Sequence, residues 1–250
     1  MKVNARKVFA LTSATPERPS AVASYGHTLG LVGIAIVVAA LGALAQARPT
    51  TGGSLTSTHA SALPAYVSAL VMEALLVCYV WAGVRKRGVT LAALSGGRWS
   101  SLREVMRDVA IAIPFWIVWQ AAAGLADAVI GPSNAKSISV LFPIGWLEVS
   151  VWIMVSVTAG IVEELVFRGY LQRQLAALSG RISIAVLGQT AVFGLMHAYQ
   201  GWKAVSVICF LGALFGVVAA WRRSTRPGMI VHAMADIWGG WLKGALHFPY

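Results

Sequence analysis

Val162-Glu163-Glu164-Leu165-Val166-Phe167-Arg168 places two adjacent carboxylates inside a long apolar run, with an arginine just downstream. An ionisable group at bilayer depth costs roughly 2.5–3.5 kcal/mol even on the mild insertion scale, so an idle pair there is improbable. On a helix, Glu164 and Arg168 stand four apart and share a face, with the glutamate on the favoured N-terminal side. Glu163 points about 100° around the helix from Glu164 and about 140° from Arg168. Glu164 and Arg168 can therefore pair with each other. Glu163 is left as a carboxylate that needs another reason to be there.

The surrounding chain shows what kind of helix this is. Of 250 residues, 58% are hydrophobic and only 12% charged, and the mean hydropathy is +0.72. A soluble domain carries about 25% charged residues, so this composition cannot cover a water-facing surface. Apolar runs of about 20 residues, the length that spans a bilayer as helix, recur along the chain. The class is an all-α, polytopic transmembrane helix bundle. The net charge of +11 follows the positive-inside rule, in which basic residues flank membrane spans on the cytoplasmic side, and does not indicate nucleic acid. Cys78 and Cys209 both lie in apolar runs without CxxC spacing, so neither a disulfide framework nor a thiolate metal site is indicated.

Seven spans are expected, near residues 28–44, 63–84, 109–130, 144–178, 182–198, 204–221 and 227–246. They divide into a basic arm (1–26), a three-span region (27–143) with a polar, basic loop at 85–107, and a four-span core (144–250). Ala43-Leu44-Ala45-Gln46-Ala47 imitates a signal-peptidase site, but the preceding polar segment is long, and a retained first helix is the expectation. Alternating the spans from a cytoplasmic N-terminus puts 16 basic residues on the cytoplasmic side and four (Arg48, Lys136, Lys203, Lys243) on the other. That asymmetry predicts N-in, C-out.

Further polar groups lie at apolar helical positions. Phe193 and His197 are four apart, as are His232 and Asp236. A lone intramembrane histidine is more often a satisfied packing residue or a helix–helix hydrogen bonder. The joint pattern is different, because three neighbouring helices each direct acid or imidazole inward. Imidazole and carboxylate at this spacing suit a hydrogen-bonded catalytic pair or a divalent metal. His27, His59 and His247 read as structural, and Asp127 and Glu148 as interfacial. Glu73, in the middle of the second span, has no assigned role.

Glu163-Glu164-x-x-x-Arg168, Phe193-x-x-x-His197 and His232-x-x-x-Asp236 together resemble the three motifs of the CAAX-protease and bacteriocin-processing (CPBP, or Abi) intramembrane endopeptidases, which include the type II CAAX prenyl endopeptidases. The resemblance covers about residues 145–245, and the first three spans match nothing specific. It implies peptide-bond hydrolysis within the membrane. Glu163 would activate water with His197, and His232 and Asp236 would stabilise the oxyanion. Glu164, Arg168 and Phe193 would support them. The third motif commonly ends in asparagine, so aspartate at 236 leaves open whether that side chain donates to the oxyanion or accepts from His232. No cofactor is fixed. Zinc on Glu163, His197 and His232 is the candidate, although the HExxH spacing of the usual zinc proteases is absent. The implied partners are the lipid bilayer and a membrane-associated protein or peptide, prenylated or leader-bearing, with no nucleic acid. The localisation expected is the plasma (inner) membrane of a prokaryote.

Two rival classes remain on the sequence: a proton- or metal-coupled transporter, against which no internal repeat is visible, and a non-catalytic scaffold or immunity protein. One geometric difficulty also stands. Counted from the nearest basic boundaries, Glu163 and His232 lie shallow and His197 deep. A hairpin about Gly180 would level Glu163 with His197, each being 17 residues from the turn, but would demand that His232 move deeper.

Overall fold

The computed structural model describes residues 20–47, 61–131 and 141–242. Lys2, Arg6, Lys7, Arg18, Arg48, Lys136, Lys243, His59 and His247 lie outside them. Among the described residues the chain is all-helical: α1 (Tyr25–Ala47), α2 (Leu63–Val84), the single turn α3 (Leu91–Leu94), α4 (Leu102–Ile130), α5 (Gly145–Glu163), α6 (Gln172–Ser179), α7 (Ile182–Met196), α8 (Trp202–Arg222) and α9 (Arg226–Ile237). A π-helical segment, Glu164–Leu171, joins α5 to α6 without interruption, and a second, Trp238–Leu242, extends α9. Among the described residues, five stretches are long and apolar enough to cross a membrane: Tyr25–Leu44, Leu63–Arg87, Leu102–Ile130, Gly145–Ser179 and Trp202–Arg222. The expected fifth and seventh spans correspond to the shorter helices α7 and α9.

The third span begins earlier than its hydropathy suggests, at Leu102 rather than near Val109. Ser101 accepts the Glu104 backbone N–H at 3.4 Å, and the Glu104 carboxylate accepts that of Ser100 at 3.1 Å. This reciprocal cap starts the helix in a polar stretch that reads as loop.

Two buried acids tie the elements together. Asp108 on α4 accepts from Arg222 and from Arg226 Nε, both at 2.9 Å, and from the Trp99 indole at 2.9 Å. Glu148 is buried as well, and this corrects its expected solvation. It accepts from the Ser61 hydroxyl at 2.6 Å and from the backbone N–H groups of Ala62 and Ile144 at 3.1 and 2.8 Å. One carboxylate thus satisfies donors at the start of two helices, which is where the helix dipole favours an anion. His27 packs structurally as expected, stacked on Tyr79 and 2.7 Å from the Tyr170 hydroxyl.

The basic loops meet at one end of the bundle: Arg173 donates to the Ala93 carbonyl, Ser224 to that of Ser95, and Arg226 pairs with Glu104. The run Gly145–Ser179 has 35 residues, about 52 Å of helix against a hydrocarbon core of about 30 Å. It turns at Gly180, whose φ of +69° closes the helix in the left-handed conformation open to glycine. The hairpin reading therefore holds in its local geometry.

Candidate active site

The Glu163-Glu164 stretch sits where α5 passes into the π-helical segment. The backbone N–H of Gln172 reaches the Phe167 carbonyl five residues back, and all residues from Glu164 to Leu171 are buried. Single π-turns recur at functional sites because the wider turn re-aims side chains without ending the helix. Here Glu164 faces the bundle, with 1% of its side chain exposed, while that of Glu163 is 22% exposed. The sequence expectation that the two carboxylates diverge is met.

Arg168 Nη1 donates to Glu164 Oε1 at 2.8 Å, and its Nη2 donates to the Gly212 carbonyl on α8 at 3.1 Å. The guanidinium also lies over the Phe193 ring at 4.4 Å and 5.3 Å from that of Phe215. Phe193, the first residue of the second motif, is thus a platform for the arginine of the first. A Cβ on Gly212 would stand 3.2 Å from Arg168 Nη2, and one on Gly216 2.8 Å from Gln172 and Gln189. The Gly212-x-x-x-Gly216 face accordingly serves close packing inside the bundle.

α9 carries the third motif against α5. A Cβ on Gly160 would meet the Ala233 nitrogen at 2.8 Å and the Met229 carbonyl oxygen at 2.9 Å, so only glycine allows this approach. The result is that His232 reaches both glutamates. Its Nδ1 is 3.1 Å from Glu164 Oε1, and its Nε2 is 3.6 Å from Glu163 Oε2 and 3.8 Å from Asp236 Oδ2. A carboxylate can only accept, so the Glu164 contact places a proton on Nδ1 and leaves Nε2 toward Glu163 and Asp236.

His197 does not continue its helix. α7 ends at Met196 and His197 is its C-cap, with φ −96° and ψ 11°. Its Nδ1 lies 2.9 Å from the Phe193 carbonyl oxygen, so that nitrogen carries the proton and Nε2 is the ring's acceptor. Glu163, His197 and Asp236 line one cavity of about 550 Å³. His197, His232 and Asp236 line a second of about 210 Å³, walled by Phe193, Leu211 and Phe215. All the motif residues therefore converge. Arg226, at the start of α9, is itself buried against Asp108, so this end of α9 is packed onto α4.

Two residues beyond the motifs also enter the larger cavity. Tyr199, just past His197, lies in the 3-10 turn Ala198–Gln200, and burial pushes its phenol pKa up. Glu73, from α2, is buried and faces the cavity too. The only sequence signal for Glu73 is an acid in mid-span; Tyr199 carries none. Among the described residues no group of three or more His, Cys, Asp or Glu side chains is placed to hold a metal ion, and no step below runs through zinc.

Apolar spans around a buried cluster of glutamate, histidine and aspartate define an integral membrane protein with an intramembrane polar site. Residues 145–238, which hold all three motifs, match the family described as type II CAAX prenyl endopeptidase Rce1-like. That match supports a CAAX-type protease and agrees with the CPBP resemblance. No curated protein and no solved structure matches the chain.

Proposed function

We propose that the protein is an intramembrane endopeptidase that hydrolyses a peptide bond of a membrane-associated substrate, prenylated or leader-bearing, with Glu163 as the base. The observation that carries this reading is the cluster around His232, whose Nε2 faces Glu163 Oε2 at 3.6 Å and Asp236 Oδ2 at 3.8 Å on the wall of a cavity. Glu163 is the one carboxylate of the first motif that Arg168 does not hold, so it has a free oxygen for a water molecule. His197, with its acceptor nitrogen turned away from the helix end, orients the same water. The water oxygen attacks the scissile carbonyl carbon while Glu163 takes its proton. His232 and Asp236 line the site where negative charge would develop on the carbonyl oxygen. Glu164 and Arg168 hold this geometry from behind.

The orientation proposed with it is N-terminus cytoplasmic, in the plasma membrane of a prokaryote. The meeting of the loops at 85–107, 173–181 and 222–226 at one end supports a single cytoplasmic face. The test is cleavage of a membrane-peptide library by the purified protein in detergent, wild type beside Glu163→Gln. General-base removal lowers cleavage about 10²–10⁴-fold. Equal cleavage by both proteins, or none by either, overturns the reading and favours a transporter, which would show ion flux in liposomes, or a scaffold.

A further inference from the structure

The residue with no role in the sequence, Glu73, stands in the wall of the 550 Å³ cavity with Glu163 and Asp236. It comes from α2, outside the segment matched by the family. It is 8% exposed, and its Oε2 has no hydrogen-bond partner. Its side chain interacts electrostatically with Glu163, Asp236 and His232. An apolar bundle does not keep a bare carboxylate oxygen without a donor unless something compensates it.

A carboxyl oxygen buried without a donor is compensated when the group carries its own proton, as a carboxylic acid does. The charge count points the same way. Glu73, Glu163, Glu164 and Asp236 surround two basic groups, Arg168 and His232, and Arg168 is spent on Glu164.

Peptide hydrolysis needs a proton for the leaving amine as well as a base for water. We propose that Glu73 is the general acid of this site, a neutral carboxylic acid that faces the cavity and protonates the departing nitrogen. The inference rests on the protease reading above. The water proton goes to Glu163 and the new C–O bond forms. As the tetrahedral intermediate collapses, the C=O bond re-forms and the C–N bond breaks. Its electron pair stays on nitrogen, which takes the Glu73 proton. The products are a carboxylic acid and a neutral amine. The proton on Glu163 then returns to Glu73 through water in the cavity, whose roughly 550 Å³ has room for several molecules at about 30 Å³ each.

The test uses a peptide that the wild type cleaves, taken from the library, and the same peptide with a p-nitrophenyl ester in place of the scissile amide. An amide nitrogen must be protonated to leave, whereas nitrophenolate leaves without a proton. Glu73→Gln is expected to lower amide cleavage about 10²–10⁴-fold, while ester hydrolysis stays within about tenfold of wild type. That ester activity also reports that the variant has folded. Glu73→Asp, which keeps the acid on a shorter arm, should recover part of the amide cleavage. Equal losses on amide and ester would make Glu73 a structural residue, and no loss on either would remove it from the reaction; both overturn the proposal. Failure of the protease reading looks different, because Glu163→Gln would then cleave both substrates like wild type.

Discussion

His232 on α9 and Glu164, the first residue of the π-helical segment that continues α5, are joined by a contact of 3.1 Å between Nδ1 and Oε1, and the same carboxylate oxygen takes Arg168 Nη1 at 2.8 Å. One atom therefore couples the helix that carries the proposed base to the helix that carries the oxyanion groups. Glu164 does more than balance Arg168: it fixes which nitrogen of His232 faces the cavity.

Glu164→Gln keeps the shape and removes the charge that holds both partners. Cleavage is expected to fall about 10²-fold or more, with a lowered melting temperature in detergent. Breaking a buried pair from one side costs about 3–5 kcal/mol, whereas replacing both members by apolar groups is often neutral. Glu164→Gln with Arg168→Met should therefore regain melting temperature but not activity. Recovery of both would mean that Glu164 acts on stability alone.

At Gly160 a side chain has nowhere to go but into the α9 backbone. Gly160→Leu should displace His232 from Glu163, and a shift of about 1 Å is enough to cost about 10²-fold in kcat/KM. Steady-state kinetics check this against Ile161→Leu one position away, on the exposed face of the same helix.

Asp236 is the departure from the commoner asparagine of the resembling family. If position 236 donates to the oxyanion, Asp236→Asn supplies a permanent donor and should keep cleavage within about tenfold, while Asp236→Leu loses about 10²–10³-fold. A collapse in the asparagine variant would show instead that the carboxylate works by accepting from His232.

The Asp108 cluster anchors the start of α9 to α4. Asp108→Ala leaves Arg226 buried without its carboxylate and should destabilise the protein by about 3–5 kcal/mol, read as a lower melting temperature. Activity should fall with it, although Asp108 lies outside both cavities that hold the motif residues.

Metal dependence has a direct check. Both His232 nitrogens face carboxylates and His197 Nδ1 faces a carbonyl, so cleavage is expected to survive dialysis against a zinc chelator. Loss of activity on chelation, restored by zinc but not by magnesium, would replace the metal-free reading.

Much of this was readable in one dimension because it depends on local spacing and local polarity. Composition alone places the chain in a membrane, since apolar runs with so few charges can be buried only in lipid. The i,i+4 spacing alone pairs Glu164 with Arg168 and His232 with Asp236, and it frees Glu163. Gly180 as the hairpin turn is equally local. The start of α4 was hidden because its cap is made of polar residues, and hydropathy reads those as loop. Other features are relations between helices far apart in sequence, and only the packed structure decides them. The seating of α9 is one: Arg226 is buried against Asp108, 118 residues earlier on α4. The orientation of the His232 ring is another, set by Glu164 some 68 residues away. Glu73 is the third. A mid-span acid is visible in the sequence, but which cavity it faces depends on α2 packing against α5, and the periodicity of neither helix encodes that contact.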